Sequence, residues 1–324
     1  MEQQKLAIKT ARRYMNRTGL ELLIYYGIMN VAVTMLMVVD VCVYLLKMLV
    51  KDIPIRYEDV LGIVQESATT NGWGYLLAIA IGTLVVVLWK RRGFVLKEMF
   101  VREKKMTFPV FVLLLCVFML PQMAVSTYST VLEWILNKLG LSAMAALEMA
   151  TIDTSSFSMF LYASFLGPIA EELLFRGVVL RQLRPWGKQT AILVSAIAFG
   201  LFHGNVIQIP FAFMVGLVLG YVTVEYSIFW AIVLHVFNNF VLSDLIGRLS
   251  EISPEGGGVL LMLILVPASV VAIVQLILKR KQLGEYLRQN KMGKISWRGL
   301  LASPFMWIYT GLMLISCLLT ITRI

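Results

Sequence analysis

Charge is scarce in this chain: 15% of its 324 residues are Asp, Glu, Lys or Arg, against 59% apolar. Soluble domains use roughly a quarter charged residues, so a water-soluble globular domain is excluded and a polytopic membrane protein is implied. Cysteine is nearly absent. The three present, Cys42, Cys116 and Cys317, are odd in number and fall in apolar stretches, which excludes a disulfide framework or a cysteine metal cluster. They read as small core hydrophobes. There is no internal repeat with a period of about 20 to 50 residues and no low-complexity tract, which removes solenoids and arrays. Histidine occurs only twice, at His203 and His235. Both sit inside apolar stretches.

Long apolar segments are what the chain has in abundance. A helix needs roughly 20 residues to cross about 30 Å of hydrocarbon. Such stretches recur near 20–47, 73–89, 107–127, 157–183, 189–204, 207–223, 227–246, 258–278 and 303–322. The expected fold is an all-α, polytopic transmembrane helical bundle with eight or nine membrane-spanning helices. With the N-terminus in the cytoplasm, the basic residues collect on the inner side, as the positive-inside rule requires. Of the 29 Lys and Arg, all but Lys47, Lys51, Arg56, Lys138, Arg248 and Arg323 fall within 5–17, 90–105, 176–188 and 279–298. The acids Asp52, Glu58, Asp59, Glu66, Glu133, Glu148, Asp153, Asp244, Glu251 and Glu255 fall outside. The net charge of +10 therefore reads as topology, with some attraction for anionic lipid headgroups and no nucleic-acid site. The basic start and the apolar run from Leu20 imitate a signal peptide, but the run is too long and lacks a small-x-small cleavage site. An uncleaved signal anchor is expected, and the sequon Asn16-Arg17-Thr18 on the basic side reads as chance.

Content divides the chain in three. Residues 1–156 form an accessory region of three spans, with an interfacial helix expected around 131–150. Residues 157–246 hold four closely spaced spans and every unusual polar residue. Residues 247–324 hold a turn at Gly256-Gly257-Gly258, one span, a solvated basic linker over 279–298, and a last span. In the middle block Gly200 and Gly204, and Gly216 and Gly220, lie four apart, a spacing that lets helix backbones approach in lipid. Asp40, Gln122 and Gln208 show no partner pattern. Glu225 and Asp244, near span ends, are expected to be solvated.

Ionisable groups at membrane depth carry a cost of about 2.5 to 3.5 kcal/mol each, so those retained here are candidates for chemistry. On a helix, positions i and i+4 share a face. Glu172 with Arg176, Phe199 with His203, and His235 with Asn239 have that spacing. Glu171 points about 100° away from Glu172, so only one of the two carboxylates can pair with Arg176 in that way, leaving the other free to act as a general base on water. A rise of about 1.5 Å per residue puts Glu171, His203 and His235 at overlapping depths. Three helices can present a carboxylate, two imidazoles and an amide to one volume.

Glu-Glu-x-x-x-Arg at 171–176, Phe-x-x-x-His at 199–203 and His-x-x-x-Asn at 235–239, in order on successive apolar stretches, resemble the three motifs of the CPBP family, which includes the type II CAAX prenyl endopeptidases and the bacterial Abi proteins. The resemblance covers about 157–246. It implies an intramembrane endopeptidase in which Glu171 and His203 activate water, His235 and Asn239 stabilise the oxyanion, and Glu172, Arg176 and Phe199 give structural support. No cofactor is required in that reading. Zinc is the alternative, with Glu171, His203 and His235 as its ligands, although the chain lacks the His-Glu-x-x-His helix of the zincins. The implied partners are the lipid bilayer and a membrane-associated peptide or protein substrate. A bacterial plasma membrane is the expected setting, which argues against a prenylated substrate. Two other functions compete. One is a catalytically silent membrane partner that regulates a sensor kinase, a secretion component or bacteriocin immunity. The other is a proton-coupled transporter, disfavoured by the lack of an inverted hydropathy repeat.

Overall fold

The computed structural model describes residues 2–90, 92–150 and 154–324. The side assigned above to Arg91, to Asp153 and to the Glu148 carboxylate lies outside the described residues. The architecture is helical, as expected. The one sheet among the described residues is a two-residue antiparallel pairing of Leu141 with Arg323 and Ser142 with Thr322. Helices dominate because a peptide group in lipid has no water to bond and must find its partner within its own segment.

The described residues hold five to seven candidate spans. Among the described residues, five helices are long and apolar enough to cross a membrane: Glu2–Val50, Phe108–Lys138, Gln208–Glu225, Ile228–Ile252 and Pro254–Leu278. Two bent pairs raise the number to seven, Tyr57–Thr69 with Trp73–Leu88 at 50° and Lys294–Leu301 with Pro304–Leu319 at 65°. The remaining two expected spans differ for separate reasons. Lys188–Phe202 has 15 residues, about 22 Å of helix against roughly 30 Å of hydrocarbon. The stretch 157–183 is helical along its length but carries Glu171, Glu172 and Arg176 in its middle.

Several local expectations are corrected. The interfacial helix around 131–150 is not one element: Phe108–Lys138 runs through its first half, Gly140 turns the chain at φ 70°, and Met144–Ala150 starts anew. Glycine suits that left-handed position because it has no Cβ to clash. The Gly256-Gly257-Gly258 run is helical, inside Pro254–Leu278. Pro254 opens this helix, and the Ser253 hydroxyl accepts from the Gly256 N–H at 3.2 Å, a cap that overrides the weak helix propensity of glycine. The basic linker is two short helices, Arg280–Gln289 and Lys294–Leu301. It is anchored: the Tyr286 hydroxyl donates to Glu225 at 2.9 Å, and Lys104 and Lys188 reach the same carboxylate at 2.6 Å each. Glu225 is thus buried and ion-paired rather than solvated. Its hydrogen bond pushes the Lys104 ammonium up, and burial together with that bond pushes the Tyr286 phenol up. Asp244 is also buried, paired with Arg248 at 3.1 Å. Asp40 accepts from Ser67 at 2.5 Å and Asn71 at 2.9 Å.

Two features place the candidate site. Buried Glu21 on the first helix binds Lys90 at 2.6 Å, and Lys90 and Thr18 both bond Gln182, tying the first and third helices to the 157–183 stretch. Close backbone contact then brings Lys188–Phe202 against Gln208–Glu225. A Cβ on Gly200 would lie 2.8 Å from the Ile209 carbonyl, and one on Gly220 3.1 Å from Ile192. Gly204 acts otherwise: its φ of 54° ends the helix just after His203. At Gly216 a Cβ would meet Ala196 Cα at 3.1 Å and the Arg176 guanidinium at 3.3 Å. Gly216→Val is therefore expected to lower stability by about 1 to 3 kcal/mol through overpacking. Thermal unfolding in detergent reads this, with Gly247→Val, where nothing lies within 4 Å, as the control.

Candidate active site

The Glu-Glu motif lies where the backbone of the 157–183 stretch changes pitch, with π-helical turns at Tyr162–Leu166 and Leu173–Leu180 on either side of Gly167–Glu172. A further π-helical segment, Phe237–Leu245, carries Asn239. Such turns re-aim side chains and recur at functional sites. Ser156 starts the stretch by accepting the Met159 N–H at 3.1 Å. Phe160, Phe165 and Phe240 then lock two of the π segments together, Phe165 to Phe240 with centroids 4.9 Å apart.

Glu172 and Arg176 are fully buried and joined at 2.8 Å, as their spacing predicts. The Arg176 guanidinium also reaches the Gly216 carbonyl at 3.4 Å and lies 4.3 Å from the centroid of the Phe199 ring. Both histidines meet the same ring edge to face. His203 stands 5.0 Å from it and His235 5.6 Å, both nearly perpendicular. Phe199 is thus the surface on which the three motifs meet.

The same Glu172 oxygen that binds Arg176 lies 2.9 Å from His235 Nδ1, while His235 Nε2 is 3.6 Å from Glu171 Oε2. One imidazole therefore stands between the two adjacent carboxylates. The contact to Glu172 is a hydrogen bond, and that to Glu171 is too long for one. His203 Nδ1 is 2.9 Å from the Phe199 carbonyl. A carbonyl only accepts, so this ring carries a proton on Nδ1, and in the neutral ring Nε2 is a lone pair. Glu171, with 19% of its side chain exposed, lies within electrostatic range of His203, Tyr162 and Tyr25.

Asn239 lies in the π-helical segment that starts at Phe237, and its amide donates to the Ala163 carbonyl at 3.0 Å. Its oxygen accepts from Asn238 at 3.0 Å, and Asn238 in turn accepts from Gln122 at 2.5 Å. Gln122, given no role from sequence, is thus connected to the site. Only its apolar surroundings at membrane depth marked it. Exposure divides the set by position: Glu171, His203 and Asn239 are partly exposed, while Glu172, Arg176, Phe199 and His235 are buried.

A zinc ligand set has partial support in the donor chemistry. Ligating histidines bind metal through one nitrogen and donate the other N–H to a carboxylate or carbonyl, and both histidines here have such an acceptor at Nδ1. Distance is against it: among the described residues, no group of three or more His, Cys, Asp and Glu side chains is assembled to hold an ion. The geometry therefore does not fit zinc as the side chains stand.

Comparison with curated proteins gave no match, and neither did comparison with solved structures. Among protein-family models, residues 153–241 match Type II CAAX prenyl endopeptidase Rce1-like. All seven residues of the motifs lie in that segment, so the part of the chain that builds the site is similar to the Rce1-like type II CAAX prenyl endopeptidase family, consistent with the CPBP resemblance.

Proposed function

We propose that the chain is an intramembrane endopeptidase that hydrolyses a peptide bond of a membrane-associated peptide or protein with water activated by Glu171. The observation that carries this reading is the pair of adjacent carboxylates disposed about one imidazole, one carboxylate hydrogen-bonded and buried, the other 3.6 Å from the ring and partly exposed. Glu172 is occupied by Arg176 and His235. Glu171 remains to accept a proton.

In this mechanism a water donates to Glu171 and to the bare Nε2 of His203. Its oxygen attacks the scissile carbonyl as its proton passes to Glu171. The negative charge on the carbonyl oxygen is met by two donors, His235 with a proton on Nε2 and the second N–H of Asn239. The C–N bond then breaks as Glu171 returns its proton to the departing amine. The site needs no cofactor in this scheme, and a multi-pass bacterial plasma membrane with a cytoplasmic N-terminus is its proposed setting. The regulatory reading gains nothing from the family match, because each group that the chemistry requires is present.

Purified protein in detergent is tested against synthetic membrane-anchored peptides, with and without a prenylated C-terminal cysteine. His203→Ala and Asn239→Ala are each expected to lower the cleavage rate by roughly 10²- to 10³-fold. Rates equal to the parent's would remove the assigned roles. Elemental analysis and chelation decide the cofactor: activity that survives chelation, with no stoichiometric zinc, supports the scheme. Zinc bound one to one and lost together with activity would make Glu171, His203 and His235 ligands instead.

A further inference from the structure

We propose that Gln122, on the accessory helix Phe108–Lys138 outside the matched segment, is a positioning residue that sets the direction in which the Asn239 amide faces. The proposal rests on the reading of Asn239 as an oxyanion donor. Three amides form a chain: Gln122 Nε2 donates to Asn238 Oδ1 at 2.5 Å, Asn238 Nδ2 to Asn239 Oδ1 at 3.0 Å, and Asn239 Nδ2 to the Ala163 carbonyl at 3.0 Å. An amide carries two donor hydrogens on one side and an acceptor on the other, so its direction is decided by its partners. The Ala163 carbonyl can only accept, which puts Asn239 Nδ2 beside it and Oδ1 toward Asn238. That oxygen then needs a donor, so Asn238 must present Nδ2, and its own oxygen faces Gln122. Only an N–H at position 122 closes the sequence without two acceptors in contact.

The chain matters because Asn239 Nδ2 has two hydrogens. One is held by Ala163, and the other is fixed in direction by the same bond, free to meet developing negative charge. Asn238 is 6% exposed, so little water is at hand to replace a missing donor, and an unsatisfied buried acceptor is costly. Removing the Gln122 donor leaves Asn238 free to rotate its amide, and that in turn releases Asn239. Preorganised donors lose their catalytic advantage when they must reorient during the reaction.

The test uses the full chain in detergent micelles, labelled with ¹⁵N at asparagine. The Asn239 side-chain amide is assigned as the resonance missing from Asn239→Ala. In the parent its exchange with solvent is slow. In Gln122→Leu it is expected to accelerate at least about 10-fold, while the Asn30 amide, bonded elsewhere to the Tyr26 carbonyl, stays unchanged. Gln122→Glu, nearly isosteric but an acceptor when ionised, should disturb Asn239 at neutral pH and recover as acid restores a hydroxyl donor. Unchanged Asn239 exchange in Gln122→Leu, or no pH-dependent recovery in Gln122→Glu, overturns the relay. Cleavage separates the two levels of the argument. If Asn239→Ala cleaves as the parent does, the donor reading fails whatever the exchange rates show. If Asn239→Ala is slow and Gln122→Leu has the parent's kcat, Gln122 plays no positioning part. The expected result is a kcat about 10-fold lower in Gln122→Leu with KM retained, and no further loss when Gln122→Leu is added to Asn239→Ala.

Discussion

Glu171→Gln is expected to lower the cleavage rate by about 10²- to 10⁴-fold, the range for removing a general base, while leaving the thermal midpoint near that of the parent. The two effects separate because Glu171 contributes little to packing. Its side chain is 19% exposed, and the imidazole of His235 stands 3.6 Å away, beyond hydrogen-bond length. Gln keeps the size and removes only the ability to take a proton. Glu172→Gln should behave in the opposite way. Its carboxylate is fully buried and shared between Arg176 and His235, so loss of charge there leaves a guanidinium without its anion and should reduce stability as well as rate. Two neighbouring carboxylates thus give two distinguishable phenotypes. Cleavage kinetics and thermal unfolding of the two variants measure them, and parent-like rates for Glu171→Gln would remove it as the base.

Arg176→Ala carries the largest expected loss of stability, about 3 to 5 kcal/mol, because it strands a buried carboxylate. Arg176 is wholly inaccessible to solvent, bonds Glu172 at 2.8 Å and lies over the ring that touches both histidines. Arg176→Lys should rescue only part of this, since an ammonium cannot combine a flat contact on Phe199 with a hydrogen bond in the plane of Glu172. The double variant Glu172→Gln with Arg176→Met removes both charges and should recover most of the stability. Cleavage should stay low, because His235 Nδ1 then lacks the anionic acceptor that orients the ring. Thermal midpoints and rates of these three proteins check the account. A double variant as active as the parent would show that Glu172 and Arg176 only hold the helix in place.

The sequence already contained the all-helical membrane architecture and the three motifs. The contacts at four-residue spacing, Glu172 with Arg176 and Phe199 with His203, were legible from spacing alone. What depends on a change of helical pitch was not. The π-helical segments Leu173–Leu180 and Phe237–Leu245 have no mark in the local residue pattern, because nothing there shows where an α-helix widens. Tertiary contacts were hidden for a different reason. The bond from His235 to Glu172 crosses 63 positions and that from Gln122 to Asn238 crosses 116, so neither leaves a periodic signature. Of the nine expected spans, 157–183 and 189–204 have no candidate crossing helix among the described residues, the first because it carries Glu171, Glu172 and Arg176 and the second because its helix has 15 residues. Glu225 and Asp244 misled because a carboxylate near a span end looks solvated until the segments that bury it are in place.

The central claim is that this chain cleaves peptides in or at the membrane through Glu171. The most direct measurement compares the termini of membrane peptides in cells carrying the parent chain with those in cells carrying Glu171→Gln at equal abundance. The account predicts a set of new termini in the parent cells that is missing from the Glu171→Gln cells, with the uncut precursors accumulating in the latter. Identical termini in the two would contradict it.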